Sequence, residues 1–346
     1  MSKTLVIQIP CYNEAQTLAE TIHDLPRSLP GVDRILVLVI DDGSRDQTAQ
    51  VALQSGADYV VRHRQNRGLA HAFMTGLKTA LALGADIIVN TDADHQYPGR
   101  YIPQLIAPIL SGRADLVIGD RQPGSNVHFS PIKRMLETLG SWVLRRLSQT
   151  DTPDAPSGFR AYSRFAALRM HVYNDYSYTL ETLIQVGRER LALEHLPIET
   201  NPTLRPSRLH KGILNFIWKQ TGTIVRSYIL YQPLQSFSML GIPFLLVGVF
   251  LLLRFLYFYV TGDSGISRHV QSVSIGGTLT IFGMFLVVLG LLGDAVRANR
   301  KIMEEILVRL RDESSLRQDA GLEMNGTIIL RPEPGVEEQE PVRETE

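Results

Sequence analysis

Acidic residues cluster at two points where an apolar run stops. Asp41 and Asp42 follow Arg34 to Ile40, with Gly43, Ser44, Asp46 and Thr48 behind them, and Asp92-Ala93-Asp94-His95-Gln96 follows Ile87 to Thr91. Side chains alternate along extended backbone, so Asp92, Asp94 and Gln96 are expected to face one way and His95, a local structural residue, the other. Oxygen ligands in that arrangement suit a hard divalent cation, Mg2+ or Mn2+, able to hold a diphosphate and neutralise charge on a leaving nucleotide. A bare D-x-D is a weak signal. This one ends a buried strand and comes fifty residues after another strand that ends in paired aspartates. Adjacent carboxylates repel, so Asp41 and Asp42 call for a donor-rich partner such as a ribose or a base. For Asp46, capping of the next helix is the competing reading.

These motifs need strand ends to carry them. Leu5 to Ile9, Arg34 to Ile40, Tyr59 to Arg62, Ile87 to Thr91 and Leu116 to Gly119 are short, branched apolar runs, the mark of strands covered on both faces. Between them Ala15 to Asp24, Thr48 to Ser55, Leu69 to Leu83 and Tyr101 to Leu110 carry helical periodicity. The alternation predicts an α/β fold: a Rossmann-like, mostly parallel sheet with helices on both faces and sites outside the C-terminal strand ends. A single cysteine, Cys11, excludes an internal disulfide and a Cys-rich zinc site. Met1 to Pro10 lacks a basic n-region and reads as a strand, not a signal peptide.

The chain has 346 residues, 44% of them hydrophobic, and 35 basic against 35 acidic side chains. Both averages hide segregation. Residues 1–311 hold 32 basic and 25 acidic side chains, whereas residues 312–346 hold 3 and 10. Ser227 to Gly262 contains one charge, Arg254, and Val273 to Gly293 contains none. Each run is long enough to cross about 30 Å of hydrocarbon, which argues against a purely soluble protein. A buried helical hairpin is the alternative. Lys211, Lys219 and Arg226 precede the first span and Arg297, Arg300 and Lys301 follow the second, so both flanks and both termini are expected in the cytoplasm. The expected organisation is an α/β domain over 1–210, an interfacial helix over 211–232, spans at 233–260 and 272–294, an amphipathic helix over 297–311 and a disordered acidic tail over 312–346.

Five ordered motifs carry a resemblance. Pro10-Cys11-Tyr12-Asn13-Glu14, Asp41-Asp42-Gly43-Ser44, Asn66-Arg67-Gly68, Asp92-Ala93-Asp94-His95-Gln96-Tyr97-Pro98 and Ser157-Gly158-Phe159-Arg160 closely resemble family 2 glycosyltransferases of the GT-A fold. Within these the chain looks like the dolichyl-phosphate mannose synthases and bacterial polyprenyl-phosphate glycosyltransferases. The resemblance covers roughly residues 4–210. It implies that Pro10, Tyr12, Glu14, Asp41, Asp42, Asp92, Ala93 and Asp94 bind the nucleotide donor, and that Asp92, Asp94 and Gln96 hold the metal. It also implies that Asp154 lies near the transferring sugar, orienting the acceptor or acting as base, and that Arg121, Lys133, Arg134, Arg205 and Arg208 bind acceptor phosphate, with Arg121 and Arg160 catalytic. Glu181 contacts a sugar hydroxyl or is a helix-surface carboxylate. Leu204 to Lys211 departs from the Arg-x-x-Gly-x-Ser-Lys of many dolichyl-type members.

The implied reaction is inverting transfer of a sugar from a UDP- or GDP-linked donor to a polyprenyl phosphate. A phosphate monoester's second pKa is about 6, so the acceptor is already ionised and needs no strong base. Holding a dianion beside a diphosphate calls for forked arginine donors, and residues 121–226 hold 15 basic against 8 acidic side chains. A solvated basic face near anionic lipid is the plainer reading of that excess. Two other functions compete: a processive polysaccharide synthase, for which the Gln-x-x-Arg-Trp motif is lacking after residue 160, and a silent GT-A domain serving as a membrane interaction partner. Nucleic acid is not an expected partner. Pairing of hairpins into a homo-oligomer is left open.

Overall fold

The computed structural model describes residues 2–121, 150, 152–172, 178–202, 232–261, 270–317 and 327–330. The chain forms two compact units, Met1–Pro206 with Leu310–Glu346, and Ser207–Arg309.

In the first unit the branched apolar runs become strands β1 (Thr4–Cys11), β2 (Arg34–Asp41), β3 (Tyr59–His63), β4 (Ile87–Asn90) and β5 (Leu116–Asp120). The intervening helices are α1 (Leu18–His23), α2 (Thr48–Gln54), α3 (Leu69–Ala82) and α4 (Ile102–Leu110), the last preceded by a 3-10 turn at Gly99–Tyr101. Helix α1 starts later than its periodicity predicts, and the amides before it bond to the neighbouring loop: Glu14 N donates to Thr48 Oγ1 and Ala15 N to Asp46. Strands β6 (Arg160–Ser163) and β7 (Leu193–Pro197) and helices α5 (Arg164–Arg169) and α6 (Tyr178–Glu189) complete the described part before residue 202. Their sequences, such as Arg-Ala-Tyr-Ser and Leu-Glu-His-Leu-Pro, are too short and mixed to announce a strand.

The sheet has the order β7-β5-β6-β4-β1-β2-β3-β8, where β8 is Thr327–Leu330. Pairs β1–β2, β1–β4, β2–β3 and β5–β7 are parallel. Strand β6 enters antiparallel between β4 and β5, and β8 pairs antiparallel with β3, so the sheet is more mixed than the expected one. Register brings the loops together: Cys11 lies opposite Asp41 and Gln8 opposite Asn90, so the chain leaves β1, β2 and β4 along one edge. Alternate residues of β1 serve opposite layers. Leu5, Ile7 and Ile9 pack with Leu18, Ile22, Ile102, Leu105 and Ile106 in one core, while on the other face Gly76 of α3 leaves room for Gln8 and Ile40. Helices on both faces are what near-continuous apolar strands require.

The C-terminal region differs from expectation. The second span and the following amphipathic helix are one helix, α8 (Val270–Arg317), because no glycine or proline interrupts residues 294–317. Inside the tail read as disordered, Thr-Ile-Ile-Leu is β-branched and apolar and forms β8. The expected interfacial helix, apart from Gln232, and the chain beyond Leu330 lie outside the described residues.

In the second unit α7 (Pro233–Val260) and α8 are two helices long and apolar enough to cross a membrane. They meet through glycine. A Cβ built at Gly241 would come 2.8 Å from Gly283 O, and one at Gly276 would come 2.9 Å from Gly248 O. Phe244 and Phe282 add an edge-to-face contact at 5.2 Å. The other faces present exposed Leu246, Phe250, Val260 and Met284, the pattern of a hairpin solvated by lipid, where close backbone packing replaces the hydrophobic drive between helices. Gly283→Leu is therefore expected to lower the thermal midpoint of the detergent-solubilised chain. Gly277→Leu, where an added Cβ meets nothing within 4 Å, is the control, and equal midpoints for the two would contradict this packing.

Candidate active site

The first part of the site is a pair of loops joined by their own polar atoms. Asn13, at φ 55°, donates its N–H to Ser44 Oγ at 2.9 Å and accepts from Arg45 N at 2.8 Å. Asp46 accepts from Thr48 N and Ala15 N and contacts the Thr48 hydroxyl. Burial pushes its carboxyl up, but those hydrogen bonds outweigh it and hold the group below the ordinary carboxylate value. Pro10 is buried, and Tyr12 and Glu14 are half-buried on the neighbouring loop.

The donor-rich partner expected for the paired aspartates is supplied by the protein. Asp41 accepts from Ser44 N at 2.9 Å and pairs with Arg62 Nε at 3.1 Å. Asp42 Oδ1 lies 2.6 Å from His63 Nδ1 and accepts from Arg67 N at 2.9 Å, and Oδ2 accepts from Gly68 N at 2.8 Å. Both carboxylates are buried. Asp42 thus shapes the His63–Gly68 loop, which explains why Asn66-Arg67-Gly68 belongs to the same pattern. Cys11 is packing: burial, then Asp41, pushes its thiol well up, away from nucleophilic use.

The Asp92-to-Gln96 run is a turn, not the extended segment that side-chain alternation assumed. His95 sits at φ 56°, and Asp94 Oδ1 accepts from Gln96 N at 3.2 Å. Ala93 O accepts from Thr17 Oγ1 at 2.8 Å and Thr21 Oγ1 at 3.1 Å, which fixes the turn on α1. Asn201 holds its far end through His95 O and Gln96 O, both at 2.9 Å. Asp92 and Asp94 are brought together all the same. Burial, then Asp94, with Glu14 adding to them, push the Asp92 carboxyl up to about 7, against Arg121 and Arg160. Uncompensated negative charge on hard oxygens fits a divalent cation. Among the described residues no three His, Cys, Asp or Glu side chains form a metal-ligand group, so the fit is to an ion that takes its other ligands from water and phosphate, as Mg2+ does.

Asp154 and Arg121 face each other rather than separate substrates. Arg121 Nε lies 2.7 Å from Asp154 Oδ2 and Nη2 2.8 Å from Oδ1, and the Arg121 backbone N–H adds a third bond at 3.0 Å. Burial opposes the Arg121 charge, but this fork outweighs it and holds the guanidinium above its ordinary value. Arg160 is fully buried and donates to Ser157 O, Thr179 O, Thr182 Oγ1 and Ala155 O at 2.7–3.0 Å. It fixes the loop after Asp154 onto α6 and does not reach an open surface. Glu181 is buried on α6, not a helix-surface carboxylate. Lys133, Arg134, Arg205 and Arg208 lie outside the described residues. The sequence reading missed Gln8, Asn90 and Tyr178, buried polar groups beside Asp92 and Gly158. A polar residue in each of two otherwise apolar strands was the available signal.

Comparison with known proteins settles the family. The sequence model of glycosyl transferase family 2 matches residues 6–170, and an uncharacterized glycosyltransferase of Mycobacterium bovis is 31% identical over 201 residues, 57% of this chain and 85% of that one. The chain belongs to glycosyl transferase family 2. It is also similar to the undecaprenyl-phosphate mannosyltransferase of Micrococcus luteus, 28% identical over 224 residues, 62% of this chain and 84% of that one. In fold it is similar to glucosyl-3-phosphoglycerate synthase from Mycobacterium tuberculosis in complex with Mn2+, UDP-glucose and phosphoglyceric acid. That likeness has a TM-score of 0.52 at 22% identity and covers 66% of this chain and 79% of the other. The protein is a glycosyltransferase, and the sequence-based resemblance holds.

Two outcomes follow. Asp42→Ala leaves the buried His63 Nδ1 without its partner, together with the more exposed N–H groups of Arg67 and Gly68, and at about 1–3 kcal/mol for a buried unsatisfied group it should cost about 1–3 kcal/mol of stability. A changed donor KM at an unchanged unfolding midpoint would contradict this. A cation that took Asp92 as ligand would have to release the proton held there below pH about 7, and Mn2+ affinity would then rise about tenfold per pH unit below that point and level off above it. Calorimetric titration across that range checks the slope.

Proposed function

We propose that this glycosyltransferase moves a sugar, with inversion, from a nucleoside-diphosphate donor, UDP- or GDP-linked, to a polyprenyl phosphate at the cytoplasmic face of the membrane. The observation that carries the reading is the meeting, at one sheet edge, of an acidic turn that is short of positive charge with a forked Arg121–Asp154 pair. The two candidate spans support a lipid acceptor, as does likeness to a relative whose name specifies undecaprenyl phosphate. The basic flanks support placing the α/β domain and both termini in the cytoplasm.

Pro10, Tyr12 and Glu14 line the nucleotide pocket, and the Asp42-held loop shapes its far side. Asp92, Asp94 and Gln96 would hold Mg2+ or Mn2+, which neutralises charge on the departing diphosphate. An acceptor phosphate oxygen attacks C1 of the sugar as the C1–oxygen bond to the diphosphate breaks on the opposite face, and the nucleoside diphosphate leaves with the electron pair. No proton has to be removed, because the acceptor is already ionised. Asp154, with both oxygens on Arg121, therefore orients that guanidinium for a phosphate oxygen, and Arg160 keeps Asp154 in place. Lys133, Arg134, Arg205 and Arg208 add acceptor-side charge, and Glu181 contacts a sugar hydroxyl.

The deciding assay incubates the purified chain with undecaprenyl phosphate, Mg2+ or Mn2+ and a panel of UDP- and GDP-sugars, reading lipid-linked product by mass. One donor should yield a phosphate-linked glycolipid, and Asp94→Asn should reduce its formation by about a hundredfold or more, the scale of a lost electrostatic contact to the transition state. Absence of lipid-linked product with every donor would overturn the reading, and full activity of Asp94→Asn would remove the metal assignment.

A further inference from the structure

Asn90 ends β4 two residues before Asp92 and has no solvent exposure. A polar side chain in a strand covered on both faces is costly unless each of its polar atoms is matched. Here each is. Asn90 Oδ1 accepts from Gln8 Nε2 at 2.8 Å, and Nδ2 donates both to Gly158 O at 2.8 Å and to the Tyr178 hydroxyl at 3.0 Å. Tyr178 is itself held flat on Phe73, ring centroids 4.1 Å apart.

Gly158 is the point of contact that gives this network a consequence. A Cβ built there would come 2.9 Å from Asp92 Oδ1 and 3.0 Å from the Tyr178 hydroxyl. Its N–H reaches the Tyr97 hydroxyl at 3.3 Å, and Tyr97 stacks on Phe159. The 154–160 stretch therefore touches the Asp92 carboxylate at Gly158 and carries Asp154, with its Arg121 fork, four residues earlier. Arg160 fixes the stretch to α6, whereas the Asn90 side chain fixes it to the strand that delivers Asp92.

We propose that Asn90 is a positioning residue whose amide sets the separation between the Asp92 turn and the Asp154–Arg121 pair. This rests on the reading of those groups as donor-side and acceptor-side machinery. An apolar residue could fill the same space but would leave Gly158 O unmatched and its distance from Asp92 unspecified. Misplacement by a fraction of an ångström between two bound substrates is felt in turnover rather than in donor binding.

The test uses the full chain in nanodiscs, with Asn90→Asp, which keeps the shape but turns an acceptor toward Gly158 O, and the smaller change Asn90→Ser. Each should lower kcat at least tenfold while donor KM stays within threefold. Combined with Asp154→Asn, Asn90→Asp should add less than a twofold further loss, because both act through one arrangement. Additive losses, or a lowered thermal midpoint with unchanged kcat, would overturn the inference. An arm that needs no turnover measures amide hydrogen exchange in the presence of Mn2+ and UDP. Exchange should quicken over 154–160 in both variants and stay unchanged over β1 and β2, and unchanged exchange over 154–160 would equally overturn it. If the wild type glycosylates no lipid phosphate while the exchange result holds, it is the reading of the site that fails and not the placement of Asn90.

Discussion

Asp41 and Asp42 stand side by side at the end of a strand, both buried, and an isolated carboxylate in such a place is costly unless it is paired and hydrogen-bonded. The surroundings are arranged around that constraint. Ser44 turns its N–H back to Asp41, Arg62 reaches across from β3, and the His63–Gly68 loop delivers two backbone N–H groups and a histidine nitrogen to Asp42. Because β1 and β2 run in register, satisfying these two charges also fixes where the Tyr12–Ala15 loop can go. It is stitched to the next loop by Ser44, Asp46 and Thr48. The edge on which a nucleotide would rest is thus a by-product of burying two acids.

This also explains which parts could be read from sequence. Strands β1 to β5 are branched apolar runs with one period and one environment, and they emerge within two residues of their expected ends. Asp92 and Asp94 stand out in the sequence because they follow such a run, and the structure brings them together in a turn. What could not be read was which partner each charge would find. Asp41 and Asp42 invite an external donor on sequence grounds, and the protein supplies donors from residues up to 26 positions away. Arg160, which the resemblance marks as catalytic, is enclosed by four acceptors from 155–182. Long-range pairing of this kind leaves no periodicity.

The helices of the second unit obey a different rule, and it was legible for a different reason. A run with one charge in 36 residues needs no partner to be recognised as a candidate span. Its mode of packing is carried by glycines rather than by an apolar stripe, since all faces are apolar. Helix α8 then continues past its apolar section because nothing in Asp294 to Arg317 stops it. Charge pattern marks where a candidate span ends. Backbone chemistry marks where a helix ends, and the two need not coincide.

The pairing of Arg121 with Asp154 bears on the chemistry most directly. A carboxylate whose two oxygens both receive guanidinium N–H groups holds that guanidinium in one plane through charge-assisted bonds. Under the proposed reaction that is the useful service, because a phosphate nucleophile needs its approach arranged rather than its proton removed. Asp154 supplies arrangement by fixing the plane of the Arg121 guanidinium. The same pair nearly cancels its own charge, whereas the Asp92 turn is short of positive charge, so under the proposed reaction a bound cation would be what offsets the repulsion between the two phosphates.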